Sequence, residues 1–206
     1  MTTRTVTGLY DSYDAAAQTV RDLEAARIPA SDISIVAHRS DSDAVSGESA
    51  HGAASGAETG ASAGAAIGGG VGLLAGLGML AIPGVGPVVA AGWLVATAVG
   101  AVAGAVAGGA TGGLIGSLTS AGVSKEHANV YAEAVRRGGA LVTARVDEGL
   151  FATAESIMQR HGRIDPATRE KAYRDGGWSE FDEKSVPYAP ADVARERALY
   201  STRPPR

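Results

Sequence analysis

Cysteine is absent from this 206-residue chain, which excludes disulfides, thiolate chemistry and cysteine-ligated zinc and fits a reducing compartment. An excess of basic residues is missing as well. Lys and Arg number 18 against 22 Asp and Glu, for a net charge of −4, and no basic patch stands out, so nucleic acid is not an expected partner. Met1-Thr2-Thr3-Arg4-Thr5-Val6 lacks an apolar run behind a basic start; no cleaved secretory signal is expected, and the chain is expected to begin in the cytoplasm. The largest absence is internal. From Glu58 to Lys125 there is no charged residue between the two.

That gap is filled by small residues with a period. Residues 59–124 hold 19 glycines and 16 alanines. Gly60, Gly64, Gly68, Gly72 and Gly76 form one run; Gly92, Gly100, Gly104, Gly108, Gly112 and Gly116 form a second, with Ala96 keeping the interval. On a helix, residues four apart share a face, so each run would leave a groove without side chains that another backbone can approach. Ile82-Pro83-Gly84-Val85-Gly86-Pro87 lies between the runs and is expected to end one helix and start another. Residues 59–123 therefore predict a glycine-zipper helical hairpin whose glycines mediate self-association.

The flanks read as an α+β domain split by this insertion. Thr3 to Tyr10 predicts a strand, Ser12 and its neighbours a helix cap, and Ala16, Thr19, Val20, Leu23 and Ala26 the inward face of a helix ending before Pro29. Ile33 to His38 alternates as a second strand, so residues 1–38 supply a βαβ half. Serine, acidic and small residues make 39–58 a polar linker. Beyond the insertion, Ser124 caps a helix to about Arg137, Gly138-Gly139 stops it, and Leu141 to Val146 is a strand. Residues 149–161 follow as a helix and Arg163-Ile164-Asp165 as a short strand. Paired, 1–38 and 124–165 predict one small ferredoxin-like βαβ/αβαβ sandwich, sheet on one side and helices on the other. Residues 166–206 read as an extended charged tail with scattered Trp178, Phe181 and Tyr188.

These pieces resemble the YflT-like general stress protein family, the heat-induced stress proteins of bacteria. Three segments carry the likeness: Val6-Thr7-Gly8-Leu9-Tyr10-Asp11 leading through the alanine-rich helix to Ser31-Asp32-Ile33-Ser34-Ile35-Val36; the Gly/Ala-rich stretch; and Tyr131 to Val142. Gly177-Trp178 with Phe181-Asp182 is similar to the tail of longer members. The resemblance implies stress-linked, membrane-associated or self-associating behaviour, and it brings no catalytic residues with it.

Energetics bound what the glycine stretch can do. Eight glycines between 60 and 78 cost an isolated helix roughly 6–8 kcal/mol relative to alanine. Helix packing through the grooves, or lipid that denies the backbone water, offsets that cost. Helices over 60–82 and 88–118 would reach about 34 and 45 Å, enough for a hydrocarbon core of about 30 Å. Hydrophobicity is weaker, since Ile67, Val71, Leu73, Leu74, Leu77, Leu80 and Ile82 contribute only about 0.3–0.6 kcal/mol each toward insertion. A hairpin packed on itself and on other copies fits better than a lone span. The expected partners are a second copy and a lipid membrane, with both termini in the cytoplasm; a soluble cytoplasmic oligomer is the alternative.

No catalytic, cofactor or metal site is legible. Gly70 to Ala75 matches a dinucleotide pattern in letters only, with no strand before it and no acid in reach. His38, His51, His127 and His161 fall in four segments without ligand spacing, while Asp41, Asp43 and Glu48 read as solvated linker. Arg136, Arg137 and Arg145 beside the double glycine are weighed as an anion site against charges complementing a helix C-terminus. The function expected is non-enzymatic and structural. A membrane-anchored small-molecule-binding regulatory module and a pore-like assembly are the alternatives.

Overall fold

The computed structural model describes residues 3–38, 77–97 and 113–201. Its strands are β1 (Thr3–Tyr10), β2 (Ile33–His38), β3 (Gly78–Ile82), β4 (Gly86–Gly92) and β5 (Ala140–Asp147). The helices are α1 (Tyr13–Ala25), α2 (Gly113–Ser120), α3 (Lys125–Arg136), α4 (Glu148–Arg160), α5 (Pro166–Asp175) and α6 (Pro190–Ser201). The expected caps form. The Ser12 hydroxyl accepts from the Ala15 N–H and the Ser124 hydroxyl from the His127 N–H, each 3.3 Å away.

One five-stranded sheet runs in the order β1-β5-β2-β4-β3, antiparallel at every step. The strand from the second flank separates the two from the first: β5 pairs from Thr3↔Asp147 to Tyr10↔Ala140 on one side and from Ile33↔Ala144 to Ala37↔Ala140 on the other. The flanks are thus a single folding unit. Arg163-Ile164-Asp165 contributes less than a strand, a single bridge in which the Ile164 N–H donates to the Leu9 carbonyl at 2.8 Å.

Helices cover both faces, not one. Tyr13, Val20 and Leu23 of α1 and Ala154, Ile157 and Met158 of α4 meet Val6, Ile33, Ile35, Val142 and Ala144. On the reverse face, Leu9, Val36, Val88, Ala90 and Leu141 meet α2, α3, α5 and Phe181. All six residues of β2 are consequently buried, Ser34 and His38 included. Alternation in a sequence places residues on two faces but does not say that water reaches one of them.

The helical hairpin is corrected over 78–92, which is a β-hairpin joined to the sheet. Pro83 fixes φ at the second turn position, Gly84 takes φ +72° at the third, and the Val85 N–H closes the turn on the Ile82 carbonyl at 3.1 Å. The seven-residue apolar run of β4 suits a strand buried on both sides along most of its length, whereas Gly78, Met79 and Ala81 of β3 are exposed. Pro87 also sets the ladder. It has no N–H, so its pairing with Ala81 is of the non-hydrogen-bonded kind, and Gly78, Leu80 and Ile82 are the residues that bond β4. By alternation Pro87 faces β2, and the described β2–β4 pairs run from Ser34↔Gly92 to His38↔Val88.

Gly92 closes β4 instead of standing in a helix, and Gly116 lies within α2. The other zipper glycines, Gly60, Gly64, Gly68, Gly72, Gly76, Gly100, Gly104, Gly108 and Gly112, lie outside the described residues, as do the 39–58 linker with Asp41, Asp43, Glu48 and His51, and Gly70 to Ala75. Among the described residues no helix is long and apolar enough to cross a membrane. The extended tail is corrected too. Asp165 caps α5 by accepting from the Ala167 N–H at 3.1 Å, Pro166 opens it, and α6 follows.

Gly92 gives a direct test of the β4 assignment. Its φ is +98°, and an added Cβ would stand 2.2 Å from the Ile33 carbonyl oxygen. Gly92→Ala is expected to cost about 3 kcal/mol in urea unfolding; an unchanged midpoint would place this residue elsewhere.

Candidate functional site

The only dense cluster of charge among the described residues forms where the C-terminal segment meets the body, and glycines make the seam. Gly138, at φ +101°, would place a Cβ 2.2 Å from the Val193 side chain, so only a bare backbone lets α6 sit there. Two more glycines do the same at the β3–β4 turn. A Cβ on Gly84 would meet the Glu183 backbone at 2.6 Å, and one on Gly86 would meet Pro187 at 2.7 Å. Val85 between them is fully buried. The apolar turn is covered by the chain's own residues 181–187.

Glu133 anchors the charge. It falls on the core side of α3 and its side chain is 1% exposed. Arg136 donates through Nε and Nη2 to the two carboxylate oxygens at 2.9 and 2.7 Å, and Arg137 Nε donates to Oε1 at 2.5 Å. Arg137 then reaches Glu196 of α6 at 2.7 Å and lies 4.2 Å over the Tyr173 ring of α5. Burial acts to lower the Arg137 pKa, but its bonds to Glu196 and Glu133 outweigh that and raise it. Its charge is permanent here.

The remaining members continue this pattern. Arg197 donates to the Gly138 carbonyl at 2.7 Å, while Arg169, nearly buried, donates to Asp11 at 2.7 Å beneath the Tyr200 ring at 3.9 Å. Burial pushes the Tyr173 hydroxyl well above the usual phenol range. Within this cluster a notch of about 10 Å³ is left, bordered by Tyr10, Arg137, Arg169 and Tyr200. That is room for about one water. Each of these four arginines already meets a carboxylate or a carbonyl, so the arrangement holds elements together and leaves no space for a substrate.

The three arginines weighed as an anion site are not brought together. Arg136 and Arg137 turn to Glu133, whereas Arg145 lies toward the far end of β5, where it donates to Asp32 at 2.8 Å and stacks 4.5 Å over Trp93. Trp93 donates its indole N–H to the Asp32 carbonyl at 3.0 Å, within the body of the domain. The histidines stay apart. His127 packs by Tyr131, and His161 Nε2 lies 2.9 Å from Asp22, whose carboxyl this bond lowers below its usual pKa. Among the described residues no group of acids and histidines could hold a metal. Sequence reading missed Glu133, Glu196, Tyr173 and Tyr200. The available signal was Glu133 standing three and four residues before two arginines, an arrangement that pairs on a helix.

Two measurements probe this site. Glu133→Ala strips Arg136 and Arg137 of their shared carboxylate and is expected to cost about 3–5 kcal/mol in urea unfolding, with faster proteolysis between α5 and α6. A loss below about 1 kcal/mol would mean that the cluster does not anchor the tail. The second is a pH effect. Burial, with Arg197 adding to it, holds the His38 pKa below the usual 6.5. The unfolded chain therefore takes up this proton first, and stability is expected to fall as pH drops through about 6.5. His38→Gln should flatten the urea midpoint against pH in that window, and an unaltered profile would assign the dependence to another group.

No curated protein and no solved structure matches the chain. A family model does, across a span that includes β1, α1, β2 and β3 and with them Val6 to Asp11 and Ser31 to Val36. Over residues 5–83 the chain matches the heat induced stress protein YflT domain, the family that its sequence resembles.

Proposed function

We propose that this is a non-enzymatic, stress-associated structural protein that associates with itself and with a membrane surface through its two glycine runs. The observation that carries the proposal is the spacing of Gly60 to Gly76 and of Gly100 to Gly116 within a stretch free of charge. Small residues four apart favour close backbone contact between helices, in lipid above all. Both runs adjoin the same β-hairpin in sequence. The first ends two residues before β3 and the second begins eight residues after β4, so two glycine segments issue from one β-hairpin that a covered turn holds in place.

The charged cluster supports a structural role by default of an alternative. A regulatory module needs convergent polar groups around a cavity, and the buried polar groups here are spent on one another. The family match over residues 5–83 supports a stress-linked role.

Leucine at Gly68 and Gly104 would fill one groove in each run. The double variant Gly68→Leu/Gly104→Leu is expected to reduce particle size in light scattering at least twofold, and unchanged size would refute self-association by these glycines. Wild-type protein is also expected to float with phosphatidylcholine vesicles. Protein left at the bottom of the gradient would remove the membrane from the proposal and keep a water-soluble assembly.

A further inference from the structure

A second contact surface lies on β3, apart from the glycine runs. β3 ends the sheet: among the described residues it pairs only with β4. Sheet edges are ordinarily blunted by charge, proline, a bulge or a covering element. Gly78-Met79-Leu80-Ala81-Ile82 has neither charge nor proline, pairs residue for residue with β4, and leaves Met79 65% exposed.

The ladder phase fixed by Pro87 determines what this edge offers. Gly78, Leu80 and Ile82 turn their backbone groups to β4; by alternation, the N–H and C=O of Met79 and Ala81 point away from the sheet. Two donors and two acceptors thus stand symmetrically about residue 80. An antiparallel copy of the same strand, rotated about a two-fold axis at that residue, satisfies all of them: Met79 of each copy exchanges two hydrogen bonds with Ala81 of the other. Four backbone bonds form. Residue 80 meets its own counterpart as a non-hydrogen-bonded pair, and Met79 lies next to the partner's Ala81 on one face. β3 itself carries no charged side chain, so the pairing sets no charged residue of one strand opposite a charged residue of the other.

We infer that β3 is the contact strand of a two-fold dimer in which the five-stranded sheets of two copies join edge to edge. The occupant is a second copy because the outward groups are self-complementary about one residue and the strand is neutral along its length. The contact is isologous and closes on itself.

Because the chain has no cysteine, the register can be read by oxidation. Opposed residues of a non-hydrogen-bonded pair lie about 4.5 Å apart at Cα, within disulfide reach. Leu80→Cys is expected to give a disulfide-linked dimer at least tenfold faster than Met79→Cys, whose counterparts are displaced along the ladder. Equal rates, or no dimer from Leu80→Cys, would overturn the register. Ala81→Pro removes an outward N–H that β4 does not use, and Met79→Lys sets a charge on the edge. Each is expected to weaken dimerisation at least tenfold in sedimentation equilibrium, with unchanged circular dichroism reporting an intact fold.

The glycine reading fails or stands separately. Gly68→Leu/Gly104→Leu with normal Leu80→Cys crosslinking retains the β3 dimer whether or not the larger assembly survives. Association lost in the glycine double variant but untouched by both edge variants would assign self-association to the glycines and refute the edge contact. A monomeric wild type with no crosslinking would mean that the edge is covered by the chain itself.

Discussion

Everything else in this fold depends on β5 lying between β1 and β2. A strand from beyond residue 139 must find two partners from the first 38 residues, so the chain closes over a long sequence separation before its central ladders can form. That closure is entropically costly, though the cost rises only slowly with length. It is offset by pairing on both edges of β5 and by burial on both of its faces. The residues that line it are small: Ala140 and Ala144 are fully buried, and Gly8 lies opposite Val142. Small side chains let helices approach closely, and with helices on each face every strand of the centre is buried on both sides.

How far the fold could be read from sequence follows from which signals were local. β1, α1, β2, α3, β5 and α4 each carry their own punctuation: Ser12 and Ser124 cap, Gly138-Gly139 stops, and β-branched residues alternate between them. β3 and β4 carried two signals in conflict. Glycine at every fourth position up to Gly76 and again from Gly92 spoke for a helix on either side, whereas Pro83-Gly84 between short apolar runs spoke for a hairpin. Period alone cannot arbitrate over so few residues. The structure sides with the turn because Gly84 adopts a positive φ and Gly92 lies against the Ile33 carbonyl, roles that need glycine for reasons unrelated to helix packing.

The tail was misread for a different reason. Its helices are short and polar, with aromatics spread over 173–200, so no single face announces what they pack on. Their partners are distant in sequence: Tyr173 meets Arg137, Glu196 meets Arg137, and Phe181 covers the β3–β4 turn. Glu133 is a charged residue on the buried side of α3, and a burial rule based on polarity assigns it outward. Its pairing with two arginines on its own helix is local and legible. That those arginines reach out to α6 is not.

The use of charge at this seam bears on what the seam is for. Burying Glu133 and Arg137 requires their desolvation, and well-packed apolar groups of like volume would often hold a helix as firmly. What the ions add is geometric demand. An apolar patch tolerates sliding, whereas the Arg137 guanidinium satisfies Glu133, Glu196 and the Tyr173 ring at one placement of α5 and α6 only. The same placement brings Asp182, Glu183 and Pro187 over Gly84 and Gly86 and so seals the turn at Val85. A tail held in one register keeps that turn covered while leaving β3, on the outer side of the same hairpin, as the uncharged edge of the sheet.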